Sequence, residues 1–185
     1  MISHTEFKPT NVNSGTLEEK VQAMNSRIRA FNLFFEAFQP KLNVIYYPGS
    51  SIDTSPSNTE GFKDRRIIYV DQEKEVIEVL QKEGCEAYFE DAKNFNPGEV
   101  NLLLFLNFYA EKPLKHVVKD GFVICNGYRR ETLGKMLEEN DFKLVGVFTD
   151  GNQTLRTDEE TLRINSQTPN PSKRNAENLF VFRKK

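Results

Sequence analysis

Apolar residues in the first part of the chain recur three or four positions apart, at Leu17, Val21, Met24, Ile28, Phe31, Phe35 and Phe38. That spacing predicts an amphipathic helix within residues 15–40, opened by Thr16-Leu17-Glu18-Glu19 in capping-box form and ended by Pro40. A stripe of phenylalanine at helical spacing, with Phe34 beside it, reads as a face packed on a sheet; an oligomer or lipid surface is the other reading. Residues 1–14 are polar and turn-rich, and are expected to form a tail.

Beyond Lys41 the period changes to short apolar runs separated by turn formers. Leu42 to Tyr47, Arg66 to Val70, Cys85 to Phe89, Val100 to Leu106 and Gly121 to Cys125 read as five strands. Val100 to Leu106 is apolar at every position but Asn101, as a strand covered on both faces of a parallel sheet must be. Between the strands, Val76, Ile77, Val79 and Leu80 mark a crossover helix stopped by Gly84, and Pro113 to Lys119 mark a shorter one. Leu133, Met136 and Leu137 give one face to a helix over Arg130 to Glu139. Phe142 to Phe148 and Asn178 to Arg183 are two further strands, with no strong helical pattern between them, so they are expected to pair antiparallel. The polar segment at 149–176 is too long for an ordinary turn and is expected to be a mobile loop or a lid. With 185 residues, one domain over 41–185 plus the preceding helix accounts for the whole.

Charge adds little. The 25 basic and 27 acidic residues leave a net −2, with no basic patch for a phosphate backbone, so nucleic-acid binding is not expected. Cys85 and Cys125 adjoin apolar runs and read as buried reduced thiols, as a cytoplasmic protein would carry. The opening residues have neither the basic nor the apolar region of a leader, and no apolar run is long enough for a membrane span; the expectation is a soluble protein. His4 and His116 give no metal-ligand spacing, so no metal is expected.

The chemistry concentrates between Lys41 and Asp71. A strand runs into the turn Pro48-Gly49-Ser50-Ser51-Ile52-Asp53, and about twenty residues after the glycine a second strand ends on Asp71. In α/β proteins a carboxylate so placed accepts hydrogen bonds from vicinal ribose hydroxyls. Asp71 also suits a helix cap, and the second strand-end acid group, Glu90-Asp91-Ala92, also suits a solvated loop. There is no Gly-x-x-x-x-Gly-Lys-Ser/Thr loop and no Gly-x-Ser-x-Gly elbow, and Gly-x-Gly-x-x-Gly is met at its first glycine only, which disfavours a triphosphatase, a hydrolase and a nicotinamide enzyme.

Five strands alternating with helices, then a final helix and an antiparallel pair, resemble the class I S-adenosylmethionine-dependent methyltransferases over Leu42 to Arg183. The resemblance implies a Rossmann-like three-layer α/β/α fold, its seven-stranded, mostly parallel sheet in the order 3-2-1-4-5-7-6, with an extra N-terminal helix. It implies S-adenosylmethionine as cofactor, held by Tyr47, Gly49, Ser50, Ser51, Asp53, Asp71, Asp91, Ala92 and Asn107. Gly49 and Ser50 would face its amino-acid end, Asp71 its ribose, and Asp91 or Ala92 its adenine edge. Asn107 and Tyr109, in the loop leaving the fourth strand, would orient the methyl acceptor; a turn asparagine and a packed aromatic are the other reading.

The family's glycine loop is altered here. Tyr47 replaces an acid, and Ser51 and Asp53 stand where glycines are usual. Either Asp53 supplies the displaced carboxylate and the serines allow close approach, or the Asp53 side chain occupies ligand space. Two functions follow: a methyltransferase acting on a small molecule or a protein, or a methyltransferase-like domain that has lost its cofactor and serves as an interaction or scaffolding module.

Overall fold

The computed structural model describes residues 17–126, 130–149, 154–167 and 178–185. The tail expected at 1–14 and the Thr16 end of the capping box lie outside them. Helix α1 (Leu17–Phe38) precedes β1 (Val44–Pro48), β2 (Arg66–Asp71), α2 (Lys74–Lys82), β3 (Glu86–Phe89), β4 (Val100–Phe105) and β5 (Val117–Asn126). Then come α3 (Arg130–Glu139), β6 (Phe142–Thr149), β7 (Thr154–Arg156), α4 (Glu159–Gln167) and β8 (Leu179–Lys184).

All eight strands form one sheet in the order β3-β2-β1-β4-β5-β8-β6-β7. The first five strands pair parallel, and β8 runs antiparallel between β5 and β6, with Val123 opposite Phe182 and Val147 opposite Phe180. The α/β expectation and the strand order hold, with β8 in the place foreseen for a seventh strand. The sheet gains one short outer strand, β7, where seven strands were expected.

Period-two alternation sends the strand side chains into two cores. On one face Ile45, Tyr47, Tyr69, Leu104 and Phe122 pack beneath α1 and α2. On the other Tyr46, Ile68, Val70, Leu103 and Phe105 meet Leu133 and Leu137 of α3. The phenylalanine stripe of α1 is core: Phe31 and Phe34 are buried, and Phe34 meets Phe122 of β5 edge-on at 5.1 Å. Such a ring contributes about 3–5 kcal/mol against truncation to alanine. Gly84, at φ +81°, ends α2 in a Schellman motif, its amide on the Gln81 carbonyl and that of Cys85 on the Leu80 carbonyl.

Two expectations are corrected. The helix expected over Pro113 to Lys119 is a single 3-10 turn, Lys112–His116, because the β-branched pair Val117-Val118 already extends as β5. Within the segment expected to be a loop at 149–176, the structure has β7 and α4, while 150–153 and 168–176 lie outside the described residues. Leu155 sits opposite Phe148 and packs on the α1 face, where Gly146 leaves the room that Leu155 and Phe38 fill. Leu162 packs on the other core, and Asp158 caps α4 by accepting from the Thr161 amide at 2.9 Å. Among the described residues no helix is long and apolar enough to cross a membrane.

Candidate functional site

The site expected from the sequence lies at the carboxyl ends of β1 to β4. β1 is fully buried through Ile45, Tyr46 and Tyr47, and then turns sharply. Gly49 is left-handed, with φ +60°, and Ser51, where the related motif has a glycine, is left-handed too, with φ +52°. The loop's amides point inward: Gly49 N–H and Ser50 N–H donate to the Val70 carbonyl at 2.7 and 3.4 Å, and Asp53 N–H to that of Ser50 at 3.3 Å.

Gly49 is also where another chain segment comes close. A Cβ built there would lie 2.4 Å from Cβ of Phe108, in the loop after β4. The absence of a side chain at Gly49 therefore admits Phe108.

Asp71 closes the loop from β2. Its Oδ2 accepts from the Ser51 amide at 2.9 Å and its Oδ1 from the Glu73 amide at 3.0 Å, so it braces the loop and the approach to α2 together. Asp71 stays half-buried, and in the parallel register it stands beside Phe89 of β3, which is 59% exposed. Just past Phe89, Asp91 Oδ1 accepts from the Lys93 amide at 2.9 Å, while Ala92 is buried and its carbonyl accepts from the Tyr46 hydroxyl at 3.4 Å. Burial, and then the negative charge of Asp91, push the Tyr46 phenol far up, so it remains a donor.

Tyr47 and Asp53 belong to a buried polar network that the sequence reading leaves incomplete. Arg27 of α1 donates through Nη1 to Asp53 Oδ2 at 2.6 Å, and the Tyr47 hydroxyl donates to the same oxygen at 2.7 Å. Asp53 Oδ1 takes the Ser55 amide at 2.9 Å. Asn107 then donates to the Tyr47 oxygen at 3.1 Å and to the Ser50 carbonyl at 3.3 Å. Burial alone pushes the Asp53 carboxyl up; the Arg27 guanidinium and the hydrogen bonds from Ser55 and Tyr47 outweigh it and hold the group below the usual carboxylate range.

Arg27 is the residue that the sequence reading misses. The signal was there: Arg27 stands four residues before Phe31, on the stripe that continues through Phe34 and Phe38, so a charge was aimed at the core. A guanidinium on such a stripe needs a buried carboxylate, and Asp53 is that partner.

Of the predicted site residues, Tyr47, Ser50, Asp53 and Asn107 are joined in one network, and Gly49, Ser51 and Asp71 in the adjoining loop closure. Asp91 and Ala92 form a separate strand-end turn beyond β3. Tyr109 is partly buried against the α3 core, next to Phe108. Among the described residues no three of His, Cys, Asp and Glu are grouped to hold a metal ion.

No family model matches the sequence, and no curated protein matches it. Solved structures do match the fold. The plantazolicin methyltransferase BpumL in complex with SAH superposes with a TM-score of 0.62 at 10% identity, over 91% of this chain and 86% of that one. Magnesium protoporphyrin IX methyltransferase (ChlM) from Synechocystis PCC 6803, with bound SAM, gives 0.59 at 10% identity over 96% and 87%. The N-methyltransferase NodS from Bradyrhizobium japonicum WM9 gives 0.58 at 14% identity over 91% and 97%. The fold of this chain is that of the class I S-adenosylmethionine-dependent methyltransferases.

Proposed function

We propose that the chain binds S-adenosylmethionine across the carboxyl ends of β1, β2 and β3 and transfers its methyl group to a small-molecule or protein acceptor. The observation that carries this reading is the placement of Asp71 at the tip of β2, bonded to the loop that Gly49 opens, with Asp91 just past the end of neighbouring β3, next to the β1/β4 boundary where strand order reverses. Open α/β sheets bind ligands at that boundary. Similarity to folds crystallised with SAM or SAH supports the same reading.

The adenosine half of the cofactor fits the residues present. Each Asp71 oxygen accepts one backbone N–H and keeps acceptor capacity for a ribose hydroxyl. Asp91 keeps one oxygen outside its own turn, and exposed Phe89 offers an apolar surface beside Asp71. At the amino-acid end the amides of Gly49, Ser50, Ser51 and Asp53 and both Nδ2 hydrogens of Asn107 are already engaged, so Asn107 Oδ1 and the exposed side of Ser51 remain to meet a ligand. When bound, the sulfonium supplies an electrophilic methyl carbon that a nucleophile attacks in line. The chain's task is to hold the acceptor on that line and keep water out, with Asn107 and Tyr109 in the loop that would orient it.

One observation favours the second reading, an interaction module without catalysis: the space beside Gly49 is taken by Phe108, and the loop's amides bond within the chain. Calorimetric titration with S-adenosylmethionine and S-adenosylhomocysteine, with NAD as control, separates the two. Saturable binding that Asp71→Ala weakens supports the methyltransferase reading. No binding of either compound leaves the interaction module.

A further inference from the structure

α1 is more than a cover on the sheet. Arg27 and Asp53 are 9% and 6% exposed, and both are committed to the 2.6 Å contact that ties α1 to the loop after β1. Asp53 in turn fixes the Tyr47 hydroxyl at 2.7 Å, and the Tyr47 oxygen accepts from Asn107 at 3.1 Å. A row of hydrogen bonds thus runs from Arg27 of α1 through the Asp53 carboxylate and the Tyr47 hydroxyl to Asn107, which is exposed.

We propose that Arg27 is a positioning residue for the ligand site: through Asp53 and Tyr47 it sets the loop after β1 and the direction of the Asn107 amide. This rests on the reading above for the ligand, and on geometry alone for the loop. Asp53 stands where the related motif has a glycine, and without a counter-charge burial would push its carboxyl up. The arginine and the aspartate therefore replace a flexible loop position with a rigid one. The ionisable groups that face Asp53 are Arg27 from α1, Tyr47 from β1 and, at longer range, Tyr69 from β2. Tyr69 is itself pushed far up by burial, so Asp53 is the group that responds when Arg27 is removed.

The test uses the full chain and three variants, Arg27→Met, Arg27→Lys and Arg27→Met/Asp53→Asn. S-adenosylhomocysteine affinity is followed from about pH 5.5 to 8. Wild type and Arg27→Lys should show flat profiles. In Arg27→Met burial raises the Asp53 carboxyl with no guanidinium to oppose it, and affinity should fall about tenfold toward the acid end. The double variant should be flat again and weaker than wild type throughout. A folded Arg27→Met with wild-type affinity at every pH, or a double variant that keeps the acid-side loss, overturns the proposal.

Hydrogen exchange of the free protein provides the arm that needs no ligand. The amides of Gly49 to Ser51 should exchange faster in the double variant than in wild type, and equal rates overturn the proposal even if Arg27→Met fails to fold. If wild type binds no S-adenosylhomocysteine while these amides respond, the cofactor reading fails and the positioning role stands. If wild type binds and neither affinity nor exchange changes, the positioning role fails alone.

Discussion

The Ser51 amide donates to Asp71 Oδ2 at 2.9 Å, so the acid at the tip of β2 closes the loop after β1 before any ligand arrives. On the function proposed above the same carboxylate also binds the ribose, and substitution separates that task from the bracing. Asp71→Ala removes both and should weaken S-adenosylhomocysteine binding about tenfold or more, since an unmet buried hydroxyl costs about 1–3 kcal/mol. Asp71→Asn retains one acceptor oxygen and should lose less. Calorimetry of the two variants gives the ranking, and equal losses would contradict it.

The Arg27–Asp53 pair should dominate the acid stability of the loop. The folded carboxyl of Asp53 titrates below its unfolded value, so its contribution is present above about pH 4 and is lost as pH falls through the lower, folded value. Urea midpoints of the wild type should therefore stay level as far as this pair is concerned from about pH 7 down to 5, and fall below 4. Arg27→Met at neutral pH leaves a buried charge without its partner and should cost about 3–5 kcal/mol. A loss under about 1 kcal/mol would mean that water reaches Asp53.

Gly49→Ala meets two obstacles, the left-handed φ of +60° and Phe108 Cβ at 2.4 Å. Together they should destabilise the fold by about 2–4 kcal/mol in denaturant unfolding. Combining it with Phe108→Gly relieves the second obstacle alone. The double-mutant cycle should show a coupling of about 1 kcal/mol or more, and strict additivity would mean that the Phe108 loop already stands away from Gly49.

Exchange protection should be measurable across Leu155 to Leu162, where β7 pairs with β6 and α4 packs through Leu162. Asp158→Ala removes the oxygen that accepts from the Thr161 amide and should speed exchange there first. Uniformly fast exchange in the wild type would restore the loop expected from composition.

The sheet was legible because its strands obey one rule: fully buried strands such as β1 and β4 read as unbroken apolar runs, and Gly84 and Pro40 mark where neighbouring helices end. The acids at strand ends were legible for the same reason, since Asp71 directly follows one apolar run and Asp91 stands two residues past another. β7 and α4 were not, because Leu155 and Leu162 are too sparse to set a period. Nor could sequence distinguish a glycine that admits a ligand from one that admits Phe108, because both need the same missing Cβ and the neighbour lies far along the chain. Asp53 showed the same ambiguity, and only the approach of Arg27 resolves it into a buried ion pair.

The position of β8 bears on the order in which the sheet is assembled. It is the last of these strands in sequence yet sits inside the sheet, between β5 and β6. Until it docks, β5 presents an unpaired edge through Phe122 to Asn126, and β6 has no hydrogen-bonded neighbour among the parallel strands. During synthesis, α1 and the first five strands can condense on their own local pairings, while β6 and β7 wait as a separate hairpin. A chain in which β5 and β6 have formed but β8 has not docked therefore carries two open edges, and the pairing of Leu179 to Lys184 closes both at once.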